Sequence, residues 1–333
     1  MKITIETVAK KAGVSTAAVS YVLSGKQKLS PEVTVKIKKA IEELGYKPNI
    51  IARNLASKKT WTVGFYTSST KNIRGDVFFN PLLAGILDNL HQQKYQLHLY
   101  ADYLNETDED HPDLSLTQPI DGALIMNPRV NDVYLEYLKQ QNIPFVVIGT
   151  PAEPEKVFYV DVDLTAASYI ATKHLILKGH RNVLFILGPE DLMQTVHHTQ
   201  GCKMAFDEMG WELSAESLVH LPMAEEESYE ALKSIGEDIH KYSAIVAFHD
   251  IYSFGIMSFL KDNQISVPQN MMYISLGNSL FCRVNSPTIT SIDLAPYDIG
   301  FQSAEMLVDI IEKRRMQPSH SIIPVNLIKR ESA

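Results

Sequence analysis

Hydrophobic positions recur with two different spacings along the chain. In the first 25 residues Val8, Ala9, Ala12, Val14, Val19, Val22 and Leu23 fall at helical intervals interrupted by Gly13, which predicts two short helices joined at a glycine turn. Thr4 stands where it can cap the first, and Ser15 where its oxygen can accept an orphan backbone N–H of the second. Ser30-Pro31 opens a third helix, because serine caps and proline is tolerated in the first turn. Val33, Ile37, Ile41 and Leu44 form its buried stripe, and Gly45 ends it. Residues 49–57 read as one further helix behind an Asn49 cap, too short to be stable alone in water.

From Thr62 onward the spacing changes to short continuous apolar runs: Val63–Tyr66, Leu97–Tyr100, Ala123–Met126, Phe145–Ile148, Val183–Ile186, Ala244–Phe248 and Met272–Ser275. A last strand is expected over Ile322–Ile328. Continuous apolar strands separated by helical stretches mean parallel sheets covered on both faces. So many strands exceed one small unit, and two α/β subdomains with a cleft between them are expected. Ligands of such sheets bind beyond the carboxyl ends of the strands.

The length of 333 residues suits two or three domains, and 45% hydrophobic with 21% charged residues excludes a disordered or fibrous chain. No apolar run approaches the roughly 18 residues of a membrane span, and Met1–Lys11 has no apolar core for a secretory signal. Cys202 and Cys282 cannot build a disulfide framework, and their separation matches no metal-binding spacing. A reducing cytoplasm is the expected location, with no membrane partner. Asn105-Glu106-Thr107 fits a glycosylation acceptor, which a cytoplasmic chain would never present to the machinery.

The net charge of −8 conceals an asymmetry. Residues 1–60 hold 12 Lys or Arg against 4 Asp or Glu, a net +8, while the other 273 hold 19 against 35, a net −16. This is the pattern of a small nucleic-acid-binding head on an acidic body, although a solvated basic helix gives the same count. Three short helices with glycine in the first turn form a helix-turn-helix, whose second helix enters the major groove. Thr16, Ala17, Ser20 and Tyr21 are the residues placed to meet base edges, and Ser15, Ser20, Lys28 and Ser30 those placed to contact phosphates. The same helices would also serve a packing unit with no DNA role.

Thr4-Ile5-Glu6-Thr7-Val8-Ala9, Ala12-Gly13-Val14-Ser15, Val19-Ser20 and Leu44-Gly45-Tyr46-Lys47-Pro48-Asn49, with Ala52-Arg53-Asn54-Leu55, resemble the head and hinge of the lactose/galactose repressor (LacI/GalR) family. The resemblance runs through the whole chain. It implies DNA contacts from Thr4, Tyr46, Asn49, Arg53, Leu55 and Ala56 as well. In the family two hinge helices pair over the minor groove and wedge a leucine between base steps; Leu55 matches it, with ordinary linker packing as the alternative. Tyr21 stands where the family usually carries a guanine-reading arginine, which implies a different operator.

The resemblance also implies effector contacts. Phe78-Phe79 stands where the family has Asn-Pro-Phe-Phe, with Asp76-Val77 in place of Asn-Pro; core packing is the other reading of each phenylalanine. Asn127 follows a strand in Met126-Asn127-Pro128. His198 replaces a family arginine, His249-Asp250 replaces Asn-Asp, and Gly277-Asn278-Ser279 replaces Gly-x-Asp-Asp. With these clamps changed, the ligand is an unusual carbohydrate or a different metabolite, or the pocket has lost its ligand.

No GxxxxGK[ST], GxGxxG, HExxH or GxSxG motif occurs. His197, His198 and Cys202 could form part of a metal or thiol site only with a third placed group, and His249-Asp250 stands no better. The expectation is therefore not an enzyme, with no metal and no cofactor. The fold class expected is α/β: an N-terminal all-α helix-turn-helix head and hinge helix, then two doubly wound parallel subdomains of the periplasmic-binding-protein kind. The domains are 1–48, 49–60 and 61–333, with subdomain one at about 61–161 and 293–322 and subdomain two at about 162–292 and 323–333. Crossings between them are expected near Tyr159–Asp163, Ser291–Leu294 and Ile322–Val325. The function expected is a sequence-specific transcription regulator, a repressor controlled by a small-molecule effector such as a sugar. Its partners are double-stranded operator DNA, the effector and a second copy in a homodimer, since one head reads one half-site. Ala333 closely follows the last strand and leaves no heptad tail for a tetramer. A ligand-binding protein whose pocket no longer signals, and an unrecognised enzyme, are the alternatives.

Overall fold

The computed structural model describes residues 3–24, 29–46, 59–67, 77–101, 119–224 and 226–333, which fall into two compact units, 1–60 and 61–333. The expected hinge helix over residues 49–57 lies outside the described residues.

In the first unit, α1 (Ile5–Ala12), α2 (Thr16–Ser24) and α3 (Pro31–Leu44) enclose a small core of Val8, Ala9, Val19, Ile37 and Ala40. Ala18 N–H donates to Ser15 Oγ at 3.2 Å and Val33 N–H to Ser30 Oγ at 3.4 Å, so both serines satisfy a donor that the helix itself cannot. Thr4 N–H donates to Thr7 Oγ1 at 3.3 Å at the start of α1. Gly13 and Gly45 take left-handed φ values of 67° and 58°, which glycine adopts without a Cβ penalty. The chain then folds back, with Val14 N–H on the Ala9 carbonyl and Tyr46 N–H on the Ile41 carbonyl.

The second unit contains two six-stranded sheets built alike. The first is formed by β1 (Thr62–Thr67), β2 (Gln96–Ala101), β3 (Gly122–Met126), β4 (Phe145–Ile148), β5 (Tyr159–Val162) and, from far along the chain, β11 (His320–Ile323). Its order is β11-β5-β4-β3-β1-β2, and every pairing is parallel. The second sheet takes β6 (Val183–Leu187), β7 (Leu218–His220), β8 (Ala244–Ala247), β9 (Met272–Gly277), β10 (Thr290–Asp293) and β12 (Asn326–Ile328) in the order β12-β10-β9-β8-β6-β7. Here β12 alone runs antiparallel, against β10. Both sheets are doubly wound, with the order reversing beside β1 and β6, and such reversals open a crevice at the carboxyl ends.

Helices α4 (Phe79–Gln93), α5 (Val133–Gln140), α6 (Leu164–Leu177), α7 (Met193–Asp207), α8 (Glu227–Ile235), α9 (Tyr252–Asp262) and α11 (Pro296–Ile311) form the crossovers and cover the sheets, and the short α10 (Leu280–Val284) follows β9. The expected single strand over Ile322–Ile328 is two strands in different sheets. Ile323 pairs with Val162 in the first and Asn326 with Asp293 in the second, because Pro324 between them interrupts the ladder. Strands β5, β7 and β10 were not among the apolar runs either: Tyr159–Val162 carries Asp161, Leu218–His220 is short, and Thr290–Asp293 is mostly polar.

Where α4 meets α11 the backbones touch. A Cβ added at Gly300 would sit 2.1 Å from the Leu82 carbonyl oxygen, and one at Gly85 2.1 Å from that of Tyr297. Neither backbone atom can rotate away as a side chain would. Gly300→Ala is therefore expected to destabilise residues 61–333 by about 2 kcal/mol or more. Urea denaturation of the variant measures this, and an unchanged midpoint would show that the helices can separate at no cost.

Candidate functional site

Thr16, Ala17, Ser20 and Tyr21 are all exposed along one side of α2, while Val19 is fully buried on the other. The core thus fixes the rotation of the helix, and the four candidate base-reading residues share its outer face. Thr4, Ser15 and Ser30 stand at the starts of α1, α2 and α3, where unpaired N–H groups and helix dipoles favour phosphate oxygens. Lys10, Lys36, Lys38 and Lys39 are exposed. Lys11 pairs with Glu43 at 2.7 Å and, by hydrogen bond and charge, holds that carboxyl below the usual carboxylate range. Tyr46 is half-buried against the small core. Lys28, Asn49, Arg53, Leu55 and Ala56 lie outside the described residues.

In residues 61–333 the carboxyl ends of both sheets border one cleft of about 640 Å³, the open space at its mouth included. Phe78, Asn127, Thr150 and Asp161 line it from the first subdomain; Gln194, His198, Met223, Phe248 and His249 line it from the second. Asn127 follows β3 in the left-handed region at φ 58°, which asparagine tolerates. The Phe78 and His249 rings approach across the cleft with centroids 6.2 Å apart, and His198 packs on Phe248 at 4.6 Å. At the mouth the subdomains are joined. Val130 N–H donates to the Asp191 carbonyl at 2.9 Å, Met193 N–H to the Pro128 carbonyl at 3.0 Å, and the Arg129 guanidinium pairs with the Asp191 carboxylate.

Two buried titratable groups border this space. Asp161 Oδ2 accepts from Thr150 N–H at 2.7 Å and Thr150 Oγ1 at 2.8 Å, and Oδ1 accepts from Val162 N–H at 2.8 Å. Burial outweighs these bonds and pushes its pKa up to about 6. His198 Nδ1 lies 2.7 Å from Ser168 Oγ. Ser168 uses its one hydroxyl hydrogen on the Leu164 carbonyl at 2.8 Å, so Nδ1 carries the proton and Nε2 keeps a lone pair. Burial, with His197 and His249 nearby, pulls the His198 pKa down to about 3, and the ring is neutral.

Residues 4–49 match the profile of bacterial regulatory proteins of the lacI family, and residues 172–333 that of a periplasmic binding protein-like domain. Catabolite control protein A of Priestia megaterium is 30% identical over 334 aligned residues, covering 100% of this chain and 99% of the relative. The chain belongs to the LacI family of DNA-binding transcription regulators. A second LacI-family relative, the HTH-type transcriptional regulator CelR of Thermobifida fusca, is 27% identical over 99% of this chain and 98% of its own. Among solved structures, the transcriptional regulator CelR–cellobiose complex matches over 100% of both chains with a TM-score of 0.76 and 26% identity. The lac repressor dimer bound to operator shares the fold, with a TM-score of 0.82 at 18% identity, over 100% of this chain and 99% of its own.

Within this LacI-family framework the candidate cleft residues separate. Phe78, Asn127, His198 and His249 come together. Phe79 does not: it is 2% exposed and stacks on Phe65 in the core. Asn278 accepts from Arg330 Nη2 at 2.6 Å and Ser291 Oγ at 3.3 Å and donates to Asp293 Oδ2 at 3.2 Å, bracing the crossing strand β10 away from the cleft lining. Asp161, Thr150, Gln194, Met223 and Phe248 were missed. A carboxylate inside the otherwise apolar Tyr159–Val162 was the one available signal. Cys202 is fully buried with its thiol pushed up to about 12, the opposite of a nucleophile. Among the described residues no group of three or more His, Cys, Asp or Glu could hold a metal, and no helix is long and apolar enough to cross a membrane.

The two buried groups give opposite pH signatures. His198 is neutral when folded but takes a proton near its ordinary 6.5 when unfolded, so its contribution is complete above that pH and is lost as pH falls toward 3. Asp161 holds its proton up to about 6 when folded, so its contribution is present at low pH and is lost as pH rises through 6. Between pH 6.5 and 4.5, His198→Gln is expected to lose about 2 kcal/mol less stability than the parent, whereas Asp161→Asn should lose more than the parent. Urea midpoints at the two pH values test both signs.

Proposed function

We propose that this chain is a repressor whose operator affinity is set by a small molecule, a sugar or related metabolite, held between the two subdomains of residues 61–333. One observation carries the reading: a single chain joins an exposed recognition face on α2 to a cleft walled by both α/β subdomains. Residues 1–48 are the DNA-binding domain, 49–60 the hinge and linker, and 61–333 the effector and dimerisation domain. Thr16, Ala17, Ser20 and Tyr21 read bases, and Thr4, Ser15 and Ser30 hold phosphates. The relative solved with cellobiose supports a carbohydrate effector. The protein works as a homodimer in the cytoplasm, where its DNA is, and catalyses no reaction. Leu280 and Val284, exposed on α10 beside Phe281, supply apolar surface of the kind a second copy covers.

Control follows from differential affinity. A ligand that touches both walls stabilises the closed cleft more than the open one and so shifts the arrangement of the subdomains. Transmission through residues 49–60 needs about 1 to 3 kcal/mol of coupling. Phe78→Ala and His249→Ala are expected to abolish the response of operator affinity to a ligand found by thermal-shift screening, with ligand-free affinity nearly unchanged. Fluorescence-anisotropy titration of operator DNA by each full-length variant checks this. Variants that respond like the parent would place the effector site elsewhere.

Tyr21 offers one hydroxyl where a bidentate arginine would discriminate a base pair by about 1 to 3 kcal/mol. Tyr21→Arg should move the preferred half-site in randomised-site selection toward guanine at the contacted position. Identical motifs from parent and variant would remove Tyr21 from the recognition set.

A further inference from the structure

We infer that the cleft holds its ligand chiefly by accepting hydrogens from it, and that the effector is a ring compound rich in hydroxyl or N–H groups and without negative charge, so that sugar phosphates and sugar acids are turned away. The inference rests on the reading of this cleft as the effector site.

Three acceptors lie along its walls. His198 presents Nε2 as a lone pair, since Nδ1–H is committed to Ser168 Oγ and the Ser168 hydrogen to Leu164. Asp161 is a buried carboxylate with three protein donors already in place, and a carboxylate offers about four lone-pair positions. Thr150 spends its hydroxyl hydrogen on Asp161, which leaves its oxygen as an acceptor. On the other side of the balance, His249 Nδ1 accepts from Ile251 N–H at 3.1 Å, so Nε2 carries a hydrogen. The Asn127 and Gln194 amides can orient a ligand but bring no full positive charge.

Among the described residues lining the cleft there is no lysine or arginine, and Arg129 at the mouth is paired with Asp191. Three of the helices that begin at this edge are already answered by carboxylates of the chain, while α4, α7 and α9 begin there without a side-chain cap and offer only partial dipole charge. Asp163 accepts from Ala166 N–H at the start of α6, Asp293 accepts from Ala295 N–H before α11, and Asp250 accepts from Ser279 N–H before α10. An anion entering the cleft would meet Asp161 and lone pairs, and would lose its hydration without a counter-charge. A ring with hydroxyl or N–H edges instead finds flat surfaces on Phe78 and Phe248 and acceptors around them.

Matched pairs on the intact protein test this. Glucose with glucose 6-phosphate, glucose with glucuronate, ribose with ribose 5-phosphate, and adenosine with adenosine 5′-monophosphate are compared by calorimetry and thermal shift, with cellobiose as an added uncharged probe. In every pair that gives a signal, the uncharged member is expected to bind more tightly by about tenfold or more, which is 1.4 kcal/mol. Asp161→Asn, which removes the buried negative charge without changing shape, should narrow that ratio. His198→Arg, where it folds, should reverse it. An anionic member that binds the parent as tightly as its partner, with binding lost in Phe78→Ala, overturns the inference while the cleft remains the effector site. Silence from every compound overturns the effector reading and the inference together.

Discussion

Every strand of a parallel sheet starts at the same edge, so every carboxyl end, and every loop that follows one, must collect at the other. In residues 61–333 this constraint acts twice, on two sheets of the same winding, and the two loop-bearing edges meet. Asn127 after β3 and Phe248-His249 after β8 owe their meeting to it, although they are more than a hundred residues apart in sequence. The sixth strand of each sheet comes from the last stretch of chain, so the path must cross between subdomains after β5, after β10 and between β11 and β12. Three adjacent crossings tie the halves together on one side and leave the other free to gape. A cleft of this construction needs no special loop to become a hinge.

Placing polar groups at such an edge has a cost that the local hydrogen bonds must offset. Asp161 is embedded in the ladder of β5 and is satisfied by Thr150, the first residue past the end of the neighbouring β4 and its Gly149. His198 sits one helix away from its partner, and the Ser168 hydroxyl meets it because α6 and α7 pack tightly. Cβ clearance there is so small that one at Gly201 would fall 2.2 Å from the Thr165 carbonyl oxygen. The tight helix packing and the imidazole's orientation are thus the same feature seen from two sides. Because Ser168 is locked by Leu164, the ring cannot exchange its donor and acceptor edges without breaking a buried bond.

The alternation of apolar runs with helical stretches made the α/β class readable, and the glycine and serine punctuation made the three helices of the head readable, because both depend on local periodicity. Strands β5, β7 and β10 did not stand out, since their burial comes from tertiary neighbours and their residues are short in number or polar. Pro324 was visible in the sequence, but only the competition of two sheets for the same segment makes it a boundary. The cleft shows the same division. Phe78, Asn127, His198 and His249 could be named by likeness to a family pattern, whereas Thr150, Gln194 and Met223 carry no local signal and reach the cleft through topology. Phe79 turns into the core because adjacent positions at a helix start face different ways, and Asn278 is captured by Arg330, some fifty residues later in the chain.

The contacts that join the subdomains at the mouth suit a device that must open and close. Arg129 and Asp191 are both partly exposed, with side chains 39% and 49% accessible, and an exposed ion pair is worth about 1 kcal/mol or less. The two backbone bonds beside it exchange with water at a comparable small net gain. Such a latch orients closure without enforcing it. Under the proposed function, a ligand spanning Phe78, His198 and His249 decides the balance with a differential affinity of a few kcal/mol, whereas an apolar seal of the same area would hold the cleft shut regardless of ligand. In the proposed function the weakness of the mouth and the rigidity of the walls are therefore complementary: the walls fix what is recognised, and the mouth leaves recognition free to change the state of the protein.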